Sequence, residues 1–332
     1  MRLKRIRLKG DATPSIAVFF RDRWLPLRLV LSQGGHEPTP EENRIAVDMI
    51  ALLGTGPAFR QYLDGLMDAW MSAHAGYEAP IEEASMIPFE PRSYRDFMLY
   101  QRHAVDAARG YARRFIPLGY LIGTAFERIT GKTFPLYRPK RIWYEKPIYY
   151  MGNHLSFVTD NHPIAFPSYS RALDYELELG AVIAQPIKNA APREALAAIG
   201  GFVVFNDFSA RDVQLAEMKG GFGPAKAKHF ANAISQEVVS ADEVLPFLDG
   251  LQSEVRINGE CIVRTSTAGM HFTLGEAIAY ASLEEQLYPG EFVATGTLPG
   301  GSGMENGRWL KHGDTIELVI DKVGTLTNVV ML

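Results

Sequence analysis

Cysteine is almost missing: Cys261 is the only one in 332 residues. An intramolecular disulfide is therefore excluded, and a cysteine-built zinc site is not expected. Its setting, VRINGECIVRTST, reads as a strand beside a hairpin turn. Long apolar runs are also lacking, so no segment reads as spanning a membrane. A charge excess of one sign is lacking too. Lys and Arg total 34 and Asp and Glu 38, a formal −4, without the basic surplus of a general nucleic-acid binder. The opening MRLKRIRLKG is basic, but no apolar signal core follows it. Its alternation reads as a first strand with Leu3, Ile6 and Leu8 as core contacts. There is no internal repeat, no low-complexity tract, and no regular strand–helix alternation of a doubly wound sheet. The expectation left is a globular cytoplasmic protein with no nucleic-acid and no membrane partner, and 47% hydrophobic and 22% charged residues fit it.

What is present divides into a small leader and a large remainder. Residues 1 to roughly 32 read as short strands, RLKRIRLKG, SIAVFF and WLPLRLVL. Thr39, Pro40 and Glu42 have the pattern of an N-cap, a first-turn proline and a capping box, followed by apolar Ile45, Ile50, Leu52 and Leu53. A second helix, FRQYLDGLMDAWMSAHA, precedes the breaker-rich GYEAPIEEASMIPFEP. The boundary is placed near 85, giving a small α+β domain over 1–85 and a catalytic domain over 86–332. In the latter, YRDFMLYQRHAVDAARGYARRF has helical composition. LDYELELGAVIAQ, GFVVFND and EFVATGT read as strands, and DTIELVIDKVGTLTNVVM reads as a hairpin turning at Lys-Val-Gly. HGD and YPGE are further turn signals. The class is α+β, mostly β with appended helices.

Acidic residues carry the chemical signal. On a strand, Asp174, Glu176 and Glu178 share one face, about 6.6 Å apart along it. They are either a solvated row on an edge strand or a set neutralised by a divalent cation. In GFVVFNDFSARDVQ an apolar run ends at Asn206-Asp207. Ser209 and Asp212 then have capping-box spacing, so a helix is expected to start there. Asp207 thus sits at a strand end beside a helix start, where it either caps the turn or ligates. Arg211 is a neighbouring cation for carboxylates or for a substrate anion.

LDYELELG followed some thirty residues later by FNDFSARDVQ resembles the paired signature of the fumarylacetoacetate hydrolase family. YRDFMLYQRHA is similar to the segment holding the family's first metal aspartate and catalytic histidine. GPAKAKHFANAI is similar to its active-site lysine segment, and VATGTLPGGSG to its Gly-Thr loop. The set runs in the family's order over roughly residues 90 to 330. The leader matches only as a small β-rich piece where the family often has an SH3-like domain. The resemblance implies a mixed β-sandwich roll.

It also implies metal ligands Asp96, Glu176, Glu178 and Asp207, an all-oxygen set suited to Mg²⁺ first, with Ca²⁺ or Mn²⁺ as alternatives. Asp174 is not a ligand in the family pattern, and a hydrogen-bonding role beside the ligands is left to it. His103 matches the catalytic histidine, with Glu305 as its candidate partner. Lys228 matches the active-site lysine, Lys226 lying two residues earlier, and Arg211 joins the catalytic group. Tyr150, Asn206, Gln214, Gly296 and Thr297 are assigned to substrate binding. His36, His74, His154, His162, His271 and His312 lack such context. The pocket wall departs from the family: MGNH follows Tyr150 where a more basic HGR pattern is usual, Met218-Lys219 replaces a tyrosine, and Asn232 replaces a threonine. Fumarylacetoacetate itself is therefore doubtful as substrate.

The implied function is metal-dependent hydrolysis of a C–C bond in a small β-diketone or acylpyruvate-type acid, as used in aromatic catabolism. The implied partner is a 2-oxo or 1,3-dicarbonyl acid, and a homodimer is expected from the family. Decarboxylation, isomerisation or hydration of a 2-oxo acid on the same fold is the first alternative. A non-catalytic metal-binding protein is the second.

Overall fold

The alternation of MRLKRIRLKG does build a strand, Arg2–Ile6, antiparallel to Ser15–Phe20, which in turn pairs with Arg23–Pro26. Leu3 and Ile6 are buried, and Leu8 bridges Ile81. The computed structural model describes residues 1–33, 36–82 and 84–331. WLPLRLVL is not one strand. After Pro26 the chain turns into the helix Leu27–Leu31, which buries Leu27, Val30 and Leu31 at helical spacing. The Thr39 capping box forms, with Pro40 opening the helix Pro40–Ile45. That helix ends early because Asp48 caps a separate one, Met49–Leu53, by accepting from the Ile50 and Ala51 N–H groups. The longer helix Pro57–Ala73 follows, burying Leu63, Met67 and Trp70.

Arg2–Ile6 also pairs with Glu237–Ser240, so the leading strands extend the main sheet. The sheet runs Arg23–Pro26, Ser15–Phe20, Arg2–Ile6, Glu237–Ser240, Ile199–Asp207, Leu177–Ile183, Glu291–Ala294, Ser93–Phe97, Tyr149–Met151. The boundary expected near 85 falls in the stretch between Pro57–Ala73 and Ser93–Phe97. Strands Leu177–Ile183 and Ile199–Asp207 are buried along their whole length. Their alternate residues feed two cores. Leu177, Leu179, Ala181 and Ile183 join one, while Val182, Val203 and Phe205 join the other with Leu3, Leu52 and Trp70. Covering both faces this way makes such strands read as near-continuous apolar runs. A second sheet, Glu260–Ser266, Gln252–Ile257, Thr315–Ile320, Gly324–Met331, Pro163–Ala165, contains the expected C-terminal hairpin, closed at Ile320↔Gly324. Cys261 lies on its first strand. The architecture is α+β with large mixed sheets.

Three local expectations need correction. YRDFMLYQRHA is a strand before it is a helix: Ser93–Phe97 runs parallel to Glu291–Ala294, and the helix Gln101–Phe115 starts four residues later. LDYELELG is interrupted. Leu173–Asp174 pairs with Ser209–Ala210, Glu176 bridges Ser302, and the long strand starts at Leu177. Ser209 and Asp212 form no capping box. The helix Arg211–Lys219 has Ala210 at its N-cap, Ser209 Oγ donates to the Asp207 carbonyl, and Asp212 accepts from Ser170 Oγ and the Arg171 N–H. The carboxylate of Asp212 holds a neighbouring loop instead of its own helix.

Candidate metal centre

Three strand ends converge on one buried site. Asp96 comes from Ser93–Phe97, Glu178 from Leu177–Ile183 and Asp207 from the end of Ile199–Asp207, and register places Glu178 opposite Phe205. Ligand oxygens of Asp96, Glu178 and Asp207 lie within 4.8 Å of one another, and all three residues are buried. It is the one such cluster among the described residues. Burial, together with Asp207, pushes the Asp96 carboxyl well above its ordinary range. Burial, with Asp96, Glu176 and Asp207, does the same to Glu178. Asp207 is raised mainly by burial and by Glu176, against the pull of Lys228.

Glu176 sits at the same pocket in a different state. Its Oε1 accepts from Arg211 Nη2 at 2.7 Å, and its Oε2 pairs with Lys228, which also pairs with Asp207. Burial alone would raise it, but Arg211 and Lys228 together hold its carboxyl below the usual range. The same carboxylates hold Lys228 and Arg211 charged against their burial. Lys226 lies outside, exposed, with its ammonium 5.5 Å from the Tyr169 ring centre.

The remaining expected residues gather around these. Tyr150 donates to Asp207 Oδ2 at 2.6 Å. The Gly296 N–H donates to Glu178 Oε2 at 3.1 Å, and Thr297 Oγ1 to Oε1 at 3.4 Å. Gly296 has φ 81°, and a Cβ there would lie 2.4 Å from the Phe97 carbonyl oxygen, so only glycine fits this turn. Asn206 Oδ1 accepts from the Glu176 N–H at 3.0 Å, while its Nδ2 is buried without a partner. Gln214 accepts from Arg211 Nη1 at 2.9 Å. His103 Nδ1 and Glu305 Oε2 are 2.9 Å apart, the imidazole buried on the helix Gln101–Phe115. Glu305 is held by the Gly300 N–H and by Ser302 Oγ, both at 2.8 Å. Burial pulls the imidazole pKa down, but the Glu305 charge outweighs it and the net direction is up.

One contributor was not read from the sequence. Tyr94 donates to Asp96 Oδ2 at 3.0 Å and lies 3.3 Å from Tyr150 Oη. It shares a strand face with Asp96, a relation hidden while that segment reads as a helix. Asp174, a hydrogen-bonding role already left to it, accepts from Arg211 Nε, the Gly303 and Met304 N–H groups and its own neighbour Tyr175 N–H. It therefore ties Arg211 to the short helix Gly303–Asn306 that carries Glu305. Asn232, where a threonine was expected, has its amide beside Asp207 Oδ1, and the orientation that satisfies both amide atoms donates to that oxygen at 3.1 Å and accepts from Ser156 Oγ at 2.7 Å.

The residues fit a hard divalent cation. Asp96 Oδ1 is buried with no partner, beside two further carboxylates that repel it. All donors are oxygens, as Mg²⁺, Ca²⁺ and Mn²⁺ prefer.

Residues 130–331 match the family model for the fumarylacetoacetate (FAA) hydrolase C-terminal region. The chain belongs to the fumarylacetoacetate hydrolase family. It is 33% identical over 183 residues to a 2,4-didehydro-3-deoxy-L-rhamnonate hydrolase of Sphingomonas sp., covering 54% of this chain and 63% of that one. It is 30% identical over 188 residues to a mitochondrial oxaloacetate tautomerase of Homo sapiens, covering 56% and 60%. Among solved structures, a fumarylacetoacetate hydrolase from Exiguobacterium antarcticum superposes with TM-score 0.67 at 20% identity, covering 100% of this chain and 99% of that one. A fumarylpyruvate hydrolase from Pseudomonas aeruginosa, in complex with Mn²⁺ and pyruvate, does so with TM-score 0.55 at 21% identity, covering 78% and 94%. Members of the family are thus enzymes, hydrolases and tautomerases among them.

Proposed function

We propose that this protein hydrolyses a C–C bond in a small β-diketone or acylpyruvate-type acid. Asp96, Glu176, Glu178 and Asp207 would hold a divalent cation, Mg²⁺ first, with Ca²⁺ or Mn²⁺ as alternatives. The observation that carries the reading is a carboxylate-held imidazole, His103 on Glu305, at the edge of an all-carboxylate cluster. Glu176 contributes to the field at His103, which ties the two halves of the site together. When bound, the cation would supply Lewis-acid polarisation of the substrate oxygens.

The chain's own groups account for the proton steps. Glu305 fixes His103 through Nδ1, leaving Nε2 to take a proton from water. The resulting hydroxide adds to a carbonyl carbon and forms the new C–O bond. The adjacent C–C bond then breaks, and its electron pair leaves as an enolate that recovers the proton from His103. Lys228 and Arg211, held charged by their carboxylate partners, stabilise negative charge as it develops. Asn206 Nδ2 is a donor in need of an acceptor. Tyr150, Gln214, Gly296 and Thr297 complete the substrate-facing wall. The Sphingomonas relative, a hydrolase, supports this reading. A homodimer and a place in aromatic catabolism rest on the family alone.

The human relative favours a second reading, tautomerisation of an oxaloacetate-like 2-oxo acid. It needs the cation and a base but no attacking water. The deciding test is turnover of acylpyruvates, 1,3-diketones and oxaloacetate with Mg²⁺ and Mn²⁺, by wild type and His103→Ala. Hydrolysis predicts loss of diketone absorbance with one carboxylic acid and one ketone formed, the ketone being a 2-oxo acid when the substrate is an acylpyruvate, and this is abolished in the variant. Enol–keto exchange without cleavage would establish the second reading, and equal rates in the variant would remove His103 as base.

A further inference from the structure

The helix Pro117–Thr130 is amphipathic in the wrong sense for a globular protein. Leu118, Leu121, Ile122, Ala125 and Ile129 recur at helical spacing and form one stripe. That stripe faces solvent: Leu118 is 72% exposed, Leu121 64%, Ile122 55% and Ile129 84%. The opposite face docks inward. Gly123, its only buried residue, lies against Tyr137, where a Cβ would sit 2.3 Å from the ring hydroxyl. Phe126 meets Phe134 at 5.4 Å between ring centres, and Glu127 pairs with Arg109 at 2.8 Å. The helix is thus anchored, and its large aliphatic side chains are still left in water. Leu136, just beyond it, is 81% exposed. Of the five Leu and Ile side chains more than 60% exposed among the described residues, four lie in this segment.

The charge around the stripe is equally uneven. From Gln101 to Lys146 there are ten Lys and Arg against three Asp and Glu, a formal +7 in a chain whose total is −4. Arg128 on the helix and Lys132, Arg138 and Lys140 just beyond it are exposed, while Arg113 and Arg114 turn to the Glu305 carbonyl and the Trp309 ring. An apolar stripe bordered by cations is the pattern of an element lying in the headgroup region of an anionic bilayer, where aliphatic side chains enter the acyl boundary and Lys and Arg meet lipid phosphates. Among the described residues no helix is long and apolar enough to cross a membrane, so the contact of this helix is peripheral. The mild average charge of the whole chain conceals this segment.

We propose that helix Pro117–Thr130, with the basic residues flanking it, docks on an anionic lipid surface. The inference is independent of the reaction proposed above. Sedimentation of the full chain with vesicles of phosphatidylcholine, and of equal parts phosphatidylcholine and phosphatidylserine, tests it. Binding is expected to the mixed vesicles, weakening as salt rises. Leu118→Glu/Ile129→Glu and Arg138→Glu/Lys140→Glu/Arg141→Glu should each lower the bound fraction at least roughly tenfold. Far-ultraviolet circular dichroism and thermal midpoints should stay at wild-type values, because these side chains are exposed. No binding to mixed vesicles at low salt overturns the proposal, as does binding indifferent to both variants. A concentration-dependent dimer in analytical ultracentrifugation that Leu118→Glu/Ile129→Glu converts to monomer would make the stripe a contact between copies and would equally overturn it.

Discussion

Glu178→Gln should have opposite consequences with and without a divalent cation. Glu178 is 1% exposed, and no Lys or Arg pairs with it; its partners are the Gly296 N–H and Thr297 Oγ1. Glutamine matches its shape, keeps an acceptor for Gly296 and offers an N–H to the threonine hydroxyl. What it removes is charge. Two carboxylates whose oxygens lie within 4.8 Å of each other repel by at least about 3.5 kcal/mol at an effective dielectric constant of about 20. Without cation at pH 8, Glu178→Gln should therefore be at least as stable as wild type. The pH dependence has a definite sign. Asp96 and Glu178 have folded-state carboxyls raised above their unfolded values. The folded state thus binds more protons, and cation-free stability falls as pH rises from the carboxylate range through those raised values. The variant should show a shallower fall. Saturating cation reverses the order. A ligand at about 100 times its Kd adds about 2.7 kcal/mol to the wild type, and with an unfolding entropy of about 2.1 cal/mol/K per residue that raises Tm by about 4 °C. Differential scanning fluorimetry with Mg²⁺, Mn²⁺ and a chelator over pH 5–9 would read both effects. An equal cation shift in the variant would refute the site. So would a variant destabilised like a core lesion in the chelated form.

Three further outcomes follow from the geometry. Glu305→Gln removes the charge that raises His103, so the acidic limb of the kcat/KM profile should move to lower pH and the plateau should fall on the order of 10²-fold. Lys228→Met leaves buried Glu176 and Asp207 short of a counter-charge. Cation-free stability should drop by about 3–5 kcal/mol in chemical denaturation, with part of it restored by Mg²⁺ or Mn²⁺. Gly110→Ala would place a methyl 1.7 Å from the Met304 carbonyl oxygen, pushing the His103 helix off the segment that holds Glu305. Stability should fall by about 1–3 kcal/mol and kcat by roughly 10²-fold with KM near wild type.

The amino-acid order made part of the acidic set legible, because LDYELELG and FNDFSARDVQ place Glu176, Glu178 and Asp207 at strand spacing and at a strand end, whereas Asp96 came only with the family resemblance. It also carried the leading strand, the Thr39 capping box, the C-terminal hairpin and the absence of any disulfide, all of which depend on residues close in the chain. It could not separate Glu176 from the other carboxylates. That distinction arises because Arg211 and Lys228, 35 and 52 residues further on, neutralise Glu176, whereas Glu178 has only a backbone N–H and a hydroxyl. It misread YRDFM as helix because local composition favours one, while pairing with Glu291–Ala294 on the far side of the chain imposes a strand. Whether Leu118, Leu121, Ile122 and Ile129 would be core was likewise undecidable from their spacing, since periodicity defines a stripe and only packing decides which way it faces.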